Sequence, residues 1–131
     1  MAQTRPDIPR DSALASAAII VNLVLTGVML FALFTRTAPH PPLDVPPFAL
    51  GPFLGATLAL GAAALYLTQR NARFGATLAL FFALICLVSY GPHKYFDPMF
   101  GRIWPAVVTG QIATATIVFW FVATVLRRRD T

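Results

Sequence analysis

An all-α integral membrane protein with four transmembrane helices is predicted by three features: four long apolar runs, a charged fraction of only 11%, and arginines gathered outside the runs. Of the 131 residues, 57% are hydrophobic, and the mean hydropathy is +0.70. Soluble domains carry about 25% charged residues to cover what a core cannot hide. A bilayer core about 30 Å thick takes ~20 apolar residues as a helix. Only helices satisfy every backbone group inside such segments. The net charge of +5 would point to nucleic acid in a soluble protein. Here arginines at membrane ends explain it, and no nucleic-acid partner is expected.

The first span is predicted at 13–34. It is longer than the roughly 7–15 residues of a secretory signal core, and the TRTAPH after it offers no A-x-A cleavage site. It is therefore expected to stay as an anchor. The second span is predicted at 48–68, the third and shortest at 74–90, and the fourth at 105–126, all within one membrane domain. Cys86, the single cysteine, lies in the third run and excludes an internal disulfide. It reads as a small buried hydrophobe.

Orientation follows from the bases. Arg5, Arg10, Arg70, Arg73, Arg127, Arg128 and Arg129 fall on one face; Arg36, Lys94 and Arg102 fall on the other. The positive-inside rule makes both termini and the turn at 69–73 cytoplasmic. The loops at 35–47 and 91–104 then face outward from a bacterial inner membrane.

Lipid gives helices little hydrophobic reason to associate, so small residues mark where backbones approach. In the second span Gly51, Gly55, Ala59 and Ala63 repeat every four residues; Ala106, Gly110 and Thr114 do so in the fourth. Both rows are expected to be packing faces. Asn22 and Gln111 are the amides within the spans, and each needs a partner in hydrocarbon. Structural hydrogen bonds between helices are the expectation. The hexapeptide GATLAL occurs at 55–60 and again at 75–80, and the likeness ends there, as chance produces in an alanine- and leucine-rich chain.

No Asp, Glu, Lys, Arg or His falls within the four runs. Proton-coupled transport relies on a buried carboxylate, and a haem held between spans needs axial nitrogens at membrane depth. Neither is expected.

The outer loops carry the remaining signals. Five prolines fall in the nine positions from Pro39 to Pro47, Pro41 and Pro42 among them. Proline fixes φ and restrains its predecessor, so this segment reads as a stiff strap. In the second loop Tyr95, Phe96, Met99, Phe100, Ile103 and Trp104 share one helical face. Asp97-Pro98 is a helix start signal, which predicts a short interfacial helix over 98–104 before a fourth span beginning at Pro105. Both histidines occur as P-H-x-x-x-D, giving His40 with Asp44 and His93 with Asp97. Two imidazoles and two carboxylates form a candidate metal set if the loops meet.

These features predict a non-catalytic accessory subunit of a larger membrane complex of respiratory or photosynthetic type. Its partners would be other membrane-protein subunits and the lipid bilayer. The strap and the aromatic stripe would dock a partner or hold its lipid, quinone or pigment; no cofactor is specified. Two other readings are a small homo-oligomeric transporter or channel, with Asn22 and Gln111 lining the path, and an outward-facing metal or haem binding protein.

Overall fold

The computed structural model describes residues 10–129, so Arg5 lies outside the described residues. It contains α1 (Arg10–Thr35), α2 (Pro47–Gln69), α3 (Gly75–Tyr90) and α4 (Phe100–Arg129), with a 3₁₀ turn (Pro92–Phe96) after α3. There is no strand among the described residues. Each of the four helices is long and apolar enough to cross a membrane, α3 when counted with the turn that continues it to Phe96. This is the architecture of a multi-pass membrane protein.

The helices sit at the corners of a square. α1 packs on α2 and α4, α3 packs on α2 and α4, and α2 and α4 lie on opposite corners. Short connections force neighbours in sequence to run antiparallel. One end of the bundle therefore gathers the start of α1, the α2–α3 turn and the end of α4, and with them Arg10, Arg70, Arg73, Arg127, Arg128 and Arg129. The opposite end gathers the strap and the 3₁₀ turn.

Two of the helix ends follow from capping chemistry. At the end of α1, Arg36 takes a left-handed φ of 56° and Thr37 N–H donates to Ala32 O at 2.9 Å. At the end of α2, Asn71 takes φ 50°, and Ala72 N–H donates to Leu67 O at 2.9 Å. Both are the bond from the second residue past the cap to the last free carbonyls that closes a helix tightly. Asn accepts this conformation easily. Arg36 is held there by its side chain, as described below.

The core has two layers. The central one joins Ile19 of α1, Ala64 of α2, Phe82 and Ala83 of α3, and Ala113 and Ile117 of α4. The other, nearer the strap, joins Met29, Leu33, Leu54 and Tyr90. Phe82 fits because of Gly61. A Cβ there would sit 2.5 Å from the Phe82 ring and 2.6 Å from Leu23 Cδ2.

The face of α2 that packs inward is Gly51, Leu54, Thr57, Gly61, Ala64 and Thr68. The four-residue row expected to pack diverges from it: Gly51 is buried against Phe34, Gly55 is half-buried, and Ala59 and Ala63 are exposed. The reason is geometric. A strict four-residue step turns 400°, so the row drifts about 40° each time and leaves the buried face after Gly51. On α4 the row holds better, with Ala106 half-buried and Gly110 and Thr114 buried.

The helix expected over 98–104 is not a separate element. Phe100 to Trp104 are the first residues of α4, which continues through Pro105 to Arg129. Pro105 is the sixth residue of α4, as Pro52 is the sixth of α2. At that position proline forgoes the bond that its N–H would make to the residue four earlier, Gly101 for Pro105 and Phe48 for Pro52, and its ring crowds that carbonyl. The separate short helix is instead the 3₁₀ turn Pro92–Phe96, ahead of Asp97.

Candidate functional site

The strap end is where the residues of interest meet. From its left-handed position Arg36 donates through its guanidinium to the carbonyls of Leu43 and of Val45, the latter at 3.0 Å. Those bonds fold the strap back on the end of α1. Pro41 is buried under it, while Pro42, Leu43 and Asp44 face outward. In the second loop the Asp97 carboxylate accepts from Met99 N–H at 2.9 Å, and Phe100 N–H donates to Asp97 O at 2.9 Å. Asp97 thus turns the chain into α4, at a start two residues later than Pro98.

The two loops do touch, through Lys94. Its ammonium lies 3.2 Å from Asp97 Oδ2 and 3.4 Å from His40 Nε2. Lysine can only donate, so the imidazole there accepts, and its proton sits on Nδ1. That Nδ1 is buried with no hydrogen-bond partner. Burial and then the Lys94 charge hold the His40 pKa below its ordinary 6.5, with Asp97 opposing. Asp97 is held below its ordinary 3.8, chiefly by Met99 N–H and further by Lys94, against a smaller effect of burial.

The candidate metal set is not assembled by this contact. Among the described residues no group of three or more His, Cys, Asp or Glu side chains comes together. His93 and Asp44 are both exposed. A cation occupies the place between His40 and Asp97 that a metal ion would need, which is why the matching P-H-x-x-x-D spacing does not produce four ligands.

Both amides within the spans bond inside the chain. Asn22, fully buried, donates through Nδ2 to Thr114 Oγ1 at 3.2 Å, joining α1 to α4. Gln111 donates through Nε2 to Tyr90 O at 3.1 Å and accepts from Tyr95 O–H at 2.7 Å. It therefore satisfies the last carbonyl of α3 and ties down the 3₁₀ turn. Tyr90 O–H donates to Leu25 O at 2.8 Å, which links α3 to α1 at the same level. Sequence reading missed Tyr90 and Gly61; a lone Tyr or Gly in an apolar run carries no partner signal.

The aromatic stripe is divided. The Tyr95 ring packs on Phe100 at 5.1 Å between centroids, while Met99 and Ile103 are half-buried. Phe96, 90% exposed, and Trp104 face outward.

The outer face of α2 has a distinctive profile. Phe48 and Tyr66 are exposed, 81% and 55% respectively, and 18 positions apart are five whole turns. Between them on that face lie only Pro52 and the small residues Gly55, Ala56, Ala59, Ala62 and Ala63. The result is a shallow notch roughly 27 Å long, closed by an aromatic ring at each end. No protein-family model matches the chain, and no curated protein or solved structure matches it either.

Proposed function

We propose that this protein is a non-catalytic accessory subunit of a larger complex of respiratory or photosynthetic type in a bacterial inner membrane, with its arginine end cytoplasmic by the positive-inside rule. The observation that carries this reading is the notch on α2. Small residues at helical spacing let a second backbone approach closely in lipid, where packing and not hydrophobicity drives association. Within the bundle α2 already packs through its opposite face, so the notch is available to a helix of another polypeptide. The strap end adds a preformed surface: Arg36 and Lys94 hold it in place, and Phe96, Leu43 and Trp104 stand exposed on it. Ordering such a surface before binding lowers the entropic cost of docking.

The transporter reading has the unpartnered Oδ1 of buried Asn22 behind it, but Asn22 Nδ2 and both ends of the Gln111 amide bond inside the chain. Purification of the whole protein in mild detergent tests the proposal. A distinct membrane polypeptide should co-purify in fixed ratio. A stable monomer with no companion overturns it, and an assembly of this chain alone turns the notch into a self-association face.

A further inference from the structure

At the arginine end the helices border an open cavity of about 350 Å³. Thr68, Asn71 and Thr124 supply polar groups to its lining, Arg127 and Arg128 supply positive charge, and Ala76 marks the N-terminus of α3 there. Helix N-termini present backbone donors and a positive dipole end, which favour an anion. Thr68 is only 1% exposed, and its Oγ1 has no hydrogen-bond partner. Asp11 is the one carboxylate in the lining, and Arg127 pairs with it at 2.7 Å. Arg128 donates to Arg73 O at 3.2 Å, and the formal charges of the lining, two arginines against one carboxylate, sum to +1.

A second cavity of about 350 Å³ adjoins the first and shares Asp11, Trp120 and Arg127 with it. Its remaining walls are mainly apolar, with Leu14, Phe119 and Ala123. A third, of about 200 Å³, shares Leu14 and Thr116 with the second and reaches Val21 and Ile112. The shared residues join all three along the seam between α1 and α4, whose outer edge is exposed at Leu14, Ile112 and Phe119. From Asp11 to Val21 the seam rises roughly 15 Å, half of a bilayer core about 30 Å thick. That is the depth of one leaflet.

We propose that this seam holds one anionic phospholipid, with its phosphate in the polar cavity and an acyl chain along the α1–α4 groove. A basic pocket between helices at one membrane face, opening to a groove one leaflet deep, matches the charge and the shape of such a molecule. The site is independent of the accessory-subunit reading, since α2 contributes only Thr68, from its buried face, and the notch is untouched.

Native mass spectrometry of the full chain tests it, after equilibration with phosphatidylglycerol or phosphatidylcholine of identical acyl chains. One phosphatidylglycerol should be retained, roughly fivefold over phosphatidylcholine, the worth of one net positive charge near the membrane surface. Arg127→Gln with Arg128→Gln should lower its retention by roughly 25-fold, about fivefold per arginine. Ala17→Phe, at an exposed position that lines the groove, should weaken both lipids without changing a charge. Equal retention of the two lipids, or full phosphatidylglycerol retention in the arginine variant, overturns the proposal. So does unaltered retention in Ala17→Phe, which remains decisive if the double variant fails to fold. Displacement of the lipid by inorganic phosphate alone would assign the cavity to a soluble anion and overturn it as well.

Discussion

At the residue scale, Gly61 and His40 carry the sharpest consequences. Gly61 is the position where α2 accepts the Phe82 ring, and a side chain there meets two neighbours at 2.5–2.6 Å. Overpacking of this kind destabilises by about 1–3 kcal/mol. Gly61→Val should therefore lower stability by that amount in a denaturation titration in detergent, whereas Gly55→Ala, with nothing within 4 Å of its Cβ, should not lower it and gains up to about 1 kcal/mol of helix propensity. His40 gives a pH dependence. Its pKa in the fold lies below the ordinary 6.5, so the unfolded chain binds the proton more readily. Stability from His40 is then complete above 6.5 and declines as pH falls below it. Asp97, held below 3.8, acts with the same sign in more acid solution: its contribution is complete above that value and is lost as the carboxylate protonates. Amide exchange across residues 36–45 should speed up between pH 7.5 and 5.5 at matched intrinsic rate. His40→Gln should flatten that response, and an identical response in the variant would remove His40 as its origin.

At the element scale, the helices were legible in the sequence and their partners were not. Apolar runs long enough to span a bilayer gave four helices, with α2 and α3 bounded within one residue of the prediction. The start of α4 was misplaced because Pro105 reads as a boundary in sequence, while the helix begins at Phe100 and runs through it. The row from Gly51 to Ala63 showed small residues correctly but not which way they face, since a four-residue step drifts around the helix. The four candidate ligands are not grouped, for a related reason: motif spacing places His40 and Asp97 at the same end but says nothing of Lys94 between them. The α2–α3 turn offers a test of the capping argument. Asn71 sits at φ 50°, where a β-branched residue is disfavoured by about 1–2 kcal/mol. Asn71→Val should lose roughly that much stability and Asn71→Gly should lose none, as read by thermal unfolding in detergent. Equal stability of the two variants would mean that the turn does not depend on the left-handed residue.

At the scale of the whole molecule, the bundle presents three unlike surfaces to its surroundings. The arginine end carries a polar cavity that opens on an apolar seam. The opposite end is a strap bound down by Arg36 and by the Lys94 contacts, with exposed aromatics around it. The flank formed by α2 is a notch of small residues between Phe48 and Tyr66. The polar side chains Asn22 and Gln111 join the helices to one another. We propose that the notch receives a helix of another protein. The most direct measurement is the amount of co-purifying polypeptide in mild detergent when the notch is filled by Ala59→Leu, a change at an exposed position. The expected result is loss of most of the companion with thermal stability of the chain unchanged. Retention of the companion at the wild-type ratio would contradict the claim.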